Sequence, residues 1–539
     1  MLPFSSLHRF ASKIESASED FEANYAYNSG LVKTLNDRLE EWTFEGKPNR
    51  VAQIRKEGKL LARERLSLLL DEDSPFLEIG PLCGWAQKKT KGNSSVCGIG
   101  LVSGVECMIV TNVFTVQAAA MNTITAGKWQ RCSEIAMENN LPFIQLLESA
   151  GADLNQQFEA FHVSPNPFYN LAKMSKKKIP SICVVLGTCI AGGAYMGGMS
   201  DYNIMIKNQS HLALAGEKLV FMATGEKSSS EELGGAEMHS TKSGVSDFLA
   251  SNEQDALMKA REVVSTFPVR KPTSWETQKI PVQEPFYHPD EILGILSRSN
   301  KSVYDCREIM ARLVDGSYLS EFKPDYGSTI VCAFAYVYGV PIGVVGNNGV
   351  IMSESAQKGC HFINICNQRG IPLVFLHNVT GFMVGRKYEE SGIIKWGSQL
   401  VNAVSNCTVP AITFIIGSSF GAANYALRSH GFQPRFIFSW PNSQCAVMGP
   451  EQLSGVLDML AREGAAKRGA NVDESKLNAK RDKMRAKIEK EQDAFYSSSH
   501  LIDDGVIDPR DTRMVLGFCL SIVSNTTWEA GFLEGICRL

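Results

Sequence analysis

Backbone amides, rather than reactive side chains, are the first candidates for chemistry in this sequence. The stretch Ile179–Tyr195 reads IPSICVVLGTCIAGGAY, an apolar run that follows a proline and ends in small residues. Such a run predicts a buried strand, and the small residues predict a turn into a helix. The first N–H groups of a helix have no partner within it and can donate to an oxyanion. The stretch is therefore a candidate oxyanion hole, although a core strand packed tightly against a helix would show the same pattern.

The same pattern recurs 230 residues later, in Val409–Tyr425 (VPAITFIIGSSFGAANY). Five identical residues align at this one offset, and Gly192 aligns with Ala422. The identical pairs are Pro142 and Pro372, Gly151 and Gly381, Pro180 and Pro410, Gly187 and Gly417, and Tyr195 and Tyr425. Five identities in one register indicate an internal duplication. We therefore expect two copies of one domain, each with a candidate oxyanion site.

Bulk composition excludes several classes of function. The 539 residues carry a net charge of −3, which gives no reason to expect a nucleic acid partner. Fourteen cysteines without a CxxC pair form neither a disulfide framework nor a zinc ribbon, so we expect core cysteines in a reducing compartment and no metal in this chain. Three long uncharged runs are interrupted by proline and glycine, which argues against membrane spans. The first twenty residues suit a surface helix better than a mitochondrial transit peptide, which stays open.

Strands and helices alternate along the chain, as in an α/β protein. We predict the strands Pro142–Glu148 and Ile371–Leu376, and the helices Pro167–Lys177 (with Asn166 as N-cap) and Gly392–Ser405. Further predictions are loops at 223–226 and 233–237 and an exposed helical hairpin over 461–492. Phe267–Asp290 holds five of the 21 prolines and is the predicted linker between an N-terminal domain, 1–290, and a C-terminal domain, 291–539.

Motifs over most of the chain carry a family resemblance. They begin at Gly58 with GKLLARERLSLLLD, continue with ESAGADL, GGAYMGGMSD, MATGE, LGGAEMHSTKSGVSD, VGNNGVIMSESAQKG, FLHNVTGFMVG and PRFIFSWPN, and end near Thr512 with DDGVIDPRDTR. Together they resemble the carboxyltransferase (β) subunits of biotin-dependent acyl-CoA carboxylases. FLHNVTGFMVG and SSFGAANYAL are similar to the methylcrotonyl-CoA and geranyl-CoA carboxylase branch, and ESAGA at 148–152 is closer to the geranyl-CoA side.

The resemblance implies a fold, a cofactor and partners. The fold would be two tandem crotonase-like (ClpP/crotonase) domains of repeated ββα units. The subunits would form a homo-hexamer, with each active site between the N-terminal domain of one copy and the C-terminal domain of another. Biotin would arrive on a separate α subunit that also carries the biotin carboxylase, in an α6β6 holoenzyme, because this chain has no biotin-attachment or ATP-binding motif. The compartment would be the bacterial cytoplasm or the mitochondrial matrix.

The resemblance also implies roles for residues. The amides of Gly192 and Gly193 would hold the thioester oxygen of the acyl-CoA, and those of Gly421 and Ala422 would hold the ureido oxygen of biotin. Expected acyl-CoA contacts are Ala118, Ala119, Ala150, Gly151, Ala152, Ala191, Tyr195, Gly197 and Gly198, and expected biotin contacts are Gly349, Gly381, Phe382, Phe420 and Ala423. Lys59 and Arg65, on a predicted basic helix face, are added as contacts for an anionic ligand; a solvated face is the alternative.

Departures from the family pattern keep alternatives open. Gln117, Phe221 and Ala423 replace residues common in the family, which allows a catalytically weakened structural subunit or a carboxylase for propionyl- or acetyl-CoA. An enoyl-CoA hydratase or isomerase would need a carboxylate beside the oxyanion turn, and none lies between Gly193 and Asp201. His361 and His377 are predicted to be structural histidines rather than bases.

Overall fold

The structure is a computed structural model, and it describes residues 9–87, 92–162, 167–268, 281–299, 304–469 and 473–531. Several predictions fall wholly or partly outside these ranges: the first eight residues of the N-terminal helix, the Asn166 cap, most of the proline-rich linker and residues 470–472 of the hairpin. The three uncharged runs form strands and helices of the core. No helix within the described ranges is both long and apolar enough to cross a bilayer.

The first half of the chain builds an eight-stranded sheet. Its strands are β1 Phe76–Glu78, β2 Ser95–Val102, β3 Val105–Asn112, β4 Phe143–Ser149, β5 Ser181–Ile190, β6 Tyr202–Ile206, β7 His211–Ala213 and β8 Phe248–Ala250. The order is β1-β2-β3-β4-β5-β6-β8, with β7 paired to β5. Strands β1 to β3 are antiparallel and the later pairs are parallel, so the carboxyl ends of β4 and β5 lie side by side.

Helices surround this sheet. They are α1 Glu19–Trp42, α2 Pro48–Lys56, α3 Ala62–Leu69, α4 Thr123–Asn139, α5 Gln157–His162, α6 Pro167–Lys176, α7 Gly192–Gly198, α8 Glu217–Thr224, α9 Ser230–Gly234, α10 Ala236–Met238 and α11 Glu253–Ser265. Two predicted loops are partly wrong, because α8 runs through Thr224 and α9 and α10 cover most of 233–237. In α9 the Ser229 side chain accepts from the Glu232 N–H, a cap that favours a helix over a loop.

The second half builds a seven-stranded sheet. Its strands are β9 Ser320–Glu321, β10 Ile330–Val337, β11 Val340–Asn347, β12 Leu373–Val379, β13 Ala411–Phe420, β14 Phe436–Ser439 and β15 Gln444–Ala446. Its helices are α12 Ile292–Ile295, α13 Cys306–Leu313, α14 Ser353–Arg369, α15 Arg386–Glu390, α16 Ile393–Asn406, α17 Ala423–Ala426, α18 Pro450–Lys467, α19 Glu474–Glu491, α20 Ala494–Ser499 and α21 Thr512–Val523. Helices α18 and α19 form a hairpin as predicted, but its first helix begins at Pro450 and not near 461.

The two sheets repeat one topology, which confirms the predicted duplication. The second sheet runs β14-β13-β12-β11-β10-β9 with β15 paired to β13, as β7 pairs to β5 in the first. Even an irregularity recurs: the β4–β5 register shifts between Leu147 and Ser149, and the β12–β13 register shifts between His377 and Val379. The domain boundary between residues 290 and 291 stays a prediction.

The repeated glycines Gly187 and Gly417 are explained by close approach. A Cβ atom at Gly187 would lie 2.4 Å from Oε1 of Glu148, and one at Gly417 would lie 2.4 Å from Oδ1 of Asn378. Real Cβ atoms do not come this close to another heavy atom, so only glycine lets the neighbouring strand's side chain cross here. The identity that revealed the duplication is therefore a packing requirement.

The two halves share one hydrophobic core and several polar ties. One buried cluster contains residues of both sheets, among them Val185 and Phe414. Arg131 on α4 donates to both carboxylate oxygens of Asp504, at 2.7 and 2.8 Å. These contacts cross from one half of the sequence to the other, so the halves pack as one body.

Asp503 is a buried carboxyl group whose charged form should cost stability. It is 3% exposed, and burial outweighs the weak hydrogen bonding that the Ser439 and Ser498 side chains and the Gly505 N–H offer to its charged form. Burial raises the pKa of Asp503 to about 7. The folded state then binds a proton that the unfolded chain has lost, so this group favours folding below its usual pKa and that contribution is lost as the pH rises towards 7.

We therefore expect Asp503→Asn to raise the free energy of unfolding at pH 8 by about 2–4 kcal/mol, and by far less at pH 4. Denaturant unfolding at both pH values measures the difference. Asp504→Asn is the matched control, and it should lower stability at pH 8 because it leaves Arg131 without its anion. An equal effect of Asp503→Asn at pH 4 and pH 8 would contradict the assignment of a buried charge.

Candidate active site

The first candidate turn, residues 190–194, joins β5 to α7. Ala191 has φ 56° and ψ −121°, and its N–H donates to the carbonyl of Ala213 on β7 at 3.0 Å. The Ala194 N–H returns to the Ala191 carbonyl at 3.1 Å. Between them, the N–H groups of Gly192 and Gly193 have no acceptor in the described part of the chain. Both predicted donors of this first-half turn are thus free to bind an oxygen atom.

The second candidate turn, residues 420–424, repeats this geometry one residue away from the prediction. Gly421 has φ 62°, and its N–H donates to the Ala446 carbonyl on β15 at 3.1 Å, as Ala191 does to Ala213. The Asn424 N–H returns to the Gly421 carbonyl at 3.1 Å. Gly421 therefore cannot be a free donor, and that expectation is wrong. The amides without an acceptor among the described residues are those of Ala422 and Ala423.

Loops from two neighbouring strands close around each turn. In the first half, Met121 N–H donates to the Gly151 carbonyl at 2.8 Å and forms a bridge to Ala152. The Ala150 N–H donates to the Ala118 carbonyl at 3.0 Å, and Ser149 Oγ donates to the Ala119 carbonyl at 2.8 Å. A Cβ at Gly151 would lie 3.6 Å from the carbonyl of Ile190. The expected acyl-CoA contacts at 118–119 and 150–152 are therefore brought together beside the first-half turn.

The second half repeats this arrangement. Ile351 N–H donates to the Gly381 carbonyl at 3.0 Å and bridges to Phe382. Asn347 Nδ2 donates to the Gly349 carbonyl at 3.0 Å. Phe420 is the last residue of β13, so it leads directly into the second-half turn. The residues expected on the biotin side thus share one end of the second sheet.

The remaining expected contacts on helix α7, Tyr195, Gly197 and Gly198, have different surroundings. Tyr195 is half exposed and packs edge-to-face on Phe168 with ring centroids 5.8 Å apart. A Cβ at Gly197 would lie 2.9 Å from Leu212 Cδ1, so Gly197 is needed for packing α7 on β7 and faces no open pocket. Gly198 has open space around it. Of this pair of expected acyl-CoA contacts, Gly198 alone has room beside it for a ligand.

Arg65 belongs to a buried ion network and is not a contact for an anionic ligand. It is 2% exposed, and its guanidinium donates to Glu148 at 3.0 Å and to Glu253 at 2.7 and 2.9 Å. Burial alone would lower the pKa of Arg65, but the hydrogen bonds to Glu253 and the charge of Glu148 raise it. Lys59 Nζ donates to the same Glu148 at 2.8 Å. The prediction for Arg65 is wrong, because both of its anionic partners are internal.

A cavity of about 240 Å³ opens beside this network, between α2 and the loop after β3. Its walls are Arg50, Gln53, Ile54, Glu57, Phe114, Thr115, Gln117 and Ala118. Sequence reasoning missed all but Gln117 and Ala118. Gln117, Ala118 and Ala119 all have φ near 50°, a left-handed run that non-glycine residues rarely adopt. No residue type signals such a run.

Comparison with known proteins now decides the family. A model described as "Carboxyl transferase domain" matches residues 53–530. The chain belongs to this family. A probable biotin-dependent acyl-coenzyme A carboxylase beta2 subunit from Mycobacterium tuberculosis is 45% identical over 532 residues, which cover 98% of this chain and 99% of that protein. The mitochondrial methylcrotonoyl-CoA carboxylase beta chain of Dictyostelium discoideum is 43% identical, over 95% of this chain and 88% of that one.

A solved structure agrees with the family assignment. The beta subunit of geranyl-CoA carboxylase from P. aeruginosa superposes with a TM-score of 0.89 at 37% identity, over 99% of this chain and 100% of that chain. The resemblance to carboxyltransferase β subunits and the predicted pair of crotonase-like domains are confirmed. The family does not itself assign a function to each residue, so the site roles depend on the geometry above.

Replacing Arg65 separates the structural role from a ligand role. Arg65→Ala leaves Glu148 and Glu253 buried without their cation and should lower the free energy of unfolding by about 3–5 kcal/mol. The triple variant Arg65→Met, Glu148→Gln, Glu253→Gln removes all three charges and should recover most of that loss, as urea unfolding would show. A triple variant that is stable but binds acyl-CoA more than tenfold more weakly would instead support direct contact.

Proposed function

We propose that this chain is the carboxyltransferase subunit of a biotin-dependent carboxylase that acts on a branched α,β-unsaturated acyl-CoA of the 3-methylcrotonyl or geranyl type. The observation that carries the proposal is the pair of matched turns, each with two free amides, one turn in each half. The match to a geranyl-CoA carboxylase beta subunit over the whole chain supports the substrate class. The methylcrotonoyl-CoA carboxylase beta chains among the relatives support the same branch.

The second-half turn fits the ureido group of biotin. Its two N–H groups have no acceptor among the described residues; Ala422 is exposed at the surface, whereas Ala423 is 0% exposed in the single chain, so Ala422 is the outer donor of the pair. When bound, biotin supplies the carboxyl group and, once that group has left, a nitrogen that can accept the proton of the acyl substrate. Ala422 and Ala423 would hold the negative charge that gathers on the ureido oxygen. One such donor contributes about 3 kcal/mol.

The first-half turn fits the thioester of the acyl-CoA. Removing a proton from the acyl chain places negative charge on the thioester oxygen, and the amides of Gly192 and Gly193 would hold that charge. Tyr195 and the loop 150–152 would border the acyl chain, with Ala191 at the base of the turn. The Lys59 side chain is 15% exposed, and its Nζ lies 3.7 Å from Glu57, which lines the 240 Å³ cavity.

His377, the histidine behind the second-half turn, is not placed to act as a side-chain base. His377 is fully buried, and burial lowers its pKa to about 4. Its neighbours are internal hydrogen-bond partners, as predicted for a structural histidine. The chain's own contribution to the reaction is therefore electrostatic and comes from the four backbone amides.

Two equivalent helices next to the turns support a contact between copies. Helix α8 exposes Leu219, Phe221 and Met222, and helix α18 exposes Leu457, Met459 and Leu460. Large exposed apolar residues on matching elements favour an interface. In the proposed homo-hexamer the first-half turn of one copy faces the second-half turn of another. A separate α subunit with the biotin carboxylase and the biotin carrier completes the α6β6 enzyme, in the bacterial cytoplasm or the mitochondrial matrix.

Co-purification from the source cell tests the assignment. We expect a biotinylated α subunit to accompany the chain, and the complex to carboxylate 3-methylcrotonyl-CoA or geranyl-CoA in a panel that includes acetyl- and propionyl-CoA. Incorporation of labelled bicarbonate into each acyl-CoA is the measurement. Turnover confined to acetyl- and propionyl-CoA would contradict the branch, and no turnover on any of the four would favour a structural subunit.

Backbone ester substitution tests the reassigned donor. Lactic acid in place of Ala423 exchanges one N–H for oxygen with almost no change of shape, and it should lower kcat by about 10²- to 10³-fold with the KM for acyl-CoA unchanged. Glycolic acid in place of Gly421 is the control. It removes the bond to Ala446 that orients the turn, so it should lower the melting temperature and lower kcat less than the loss of the Ala423 donor does, by under about tenfold. The opposite pattern would restore Gly421 as the donor.

A further inference from the structure

A chain of three hydrogen-bonded side chains, two of them fully buried, lies directly behind the second-half turn. Asn424 Nδ2, on α17, donates to Ser419 Oγ on β13 at 2.8 Å. Ser419 Oγ lies 3.0 Å from His377 Nδ1 on β12. His377 Nε2 is in hydrogen-bond contact with the Leu427 carbonyl, just after α17. His377 and Ser419 are 0% exposed.

Every hydrogen bond of this chain has a fixed direction. A carbonyl can only accept, so His377 Nε2 donates to Leu427 and its Nδ1 must accept from Ser419. Ser419 Oγ in turn accepts from Asn424. Burial lowers the pKa of His377 to about 4, which is consistent with a neutral ring of one tautomer. The three side chains can therefore satisfy one another in only one arrangement.

The chain closes around α17. Asn424 sits one residue after Ala423, and its Nδ2 also lies 3.4 Å from Cys445 Sγ on β15. Leu427 is the residue that follows the last residue of α17. His377 thus connects to both ends of the helix, to one through Ser419 and Asn424 and to the other through the Leu427 carbonyl. The short segment with the Ala422 and Ala423 amides is held on both sides.

The first-half turn has apolar residues at the same places. Leu147, Cys189 and Leu212 occupy the positions of His377, Ser419 and Cys445, and all three belong to the shared hydrophobic core. Ala194 occupies the position of Asn424. The two helices also differ in length, since α7 spans seven residues and α17 only four. A single helical turn has few hydrogen bonds of its own, so side-chain hydrogen bonds to both of its ends matter more in the second half.

We infer that His377, Ser419 and Asn424 are positioning residues that hold the Ala422 and Ala423 amides in the geometry needed on the biotin side. The inference rests on the proposed function for the role of those amides. None of the three side chains would touch the reacting atoms. Their loss should weaken turnover that depends on biotin and leave binding of acyl-CoA intact.

The test compares His377→Leu, which installs the first-half residue, with His377→Gln, whose amide can still accept from Ser419 and donate to Leu427. The assay follows transfer of the carboxyl group from a carboxylated acyl-CoA to free biotin by the full-length chain. We expect His377→Leu to lower kcat at least tenfold with the KM for the acyl-CoA within twofold, and His377→Gln to stay within threefold of the wild type. Equal losses in both variants, or a change in the acyl-CoA KM alone, would overturn the inference.

Hydrogen exchange provides a readout that does not need activity. In the full-length chain, His377→Leu should speed amide exchange in 421–427 at least tenfold and leave 191–198 unchanged. Asn424→Ala, a surface-proximal truncation, should give the same local change if His377→Leu does not fold. Cys366→Ala, a buried truncation on α14, is the stability control and should leave both segments unchanged. Faster exchange in both turns of the variants would refute the positioning role. If the wild-type protein shows no turnover but the variants still exchange faster in 421–427 alone, only the proposed function is refuted.

Discussion

The site depends on one backbone device that occurs twice. A long central strand ends in a left-handed residue whose N–H is taken by a short neighbouring strand: Ala191 bonds to Ala213, and Gly421 bonds to Ala446. That bond fixes the direction of the chain, so the next two amides point away from any internal acceptor. In a folded protein most backbone donors are paired, and a free pair at the end of a buried strand is therefore prepared to bind an oxygen. The same device explains why two sites of different chemistry can share one fold.

The halves keep the device and differ in what supports it. Behind the first-half turn, Glu148 crosses Gly187 and joins a buried ion network with Arg65 and Glu253 on α3 and α11. Behind the second, Asn378 crosses Gly417 and donates its N–H to the Asn347 side chain. The ion network ties the leading helices to the first sheet, where the 240 Å³ cavity opens. In the second half the crossing side chain is a neutral amide, and its neighbour across the strands is the amide of Asn347.

Sequence reasoning found what repeats and missed what depends on a single local geometry. Apolar runs predict strands and helices, and prolines and glycines mark where these elements end. The sequence therefore predicted the strand–turn–helix pattern, the duplication and both turns. The donor was wrongly placed at Gly421 because the Gly421 N–H bonds to Ala446 on β15. That strand has only three residues, too few to be predicted from the sequence. Arg65 was misassigned for a related reason: a basic residue on a helix looks the same whether its carboxylates come from a ligand or from residues 148 and 253. The left-handed run at 117–119 carried no signal, since its residues are glutamine and alanine.

Buried lysines show that the duplication preserved more than the turns. Lys128 on α4 and Lys358 on α14 occupy equivalent helix positions and are both almost completely buried. Lys128 donates to the Ser95 carbonyl at 2.9 Å, and Lys358 lies 3.7 Å from Glu321 on the edge strand β9. A buried ammonium is expensive to desolvate, and burial lowers the pKa of Lys358. A lysine at this helix position is thus a further feature that the two halves share, with a β2 carbonyl as its partner in the first half and a β9 carboxylate in the second.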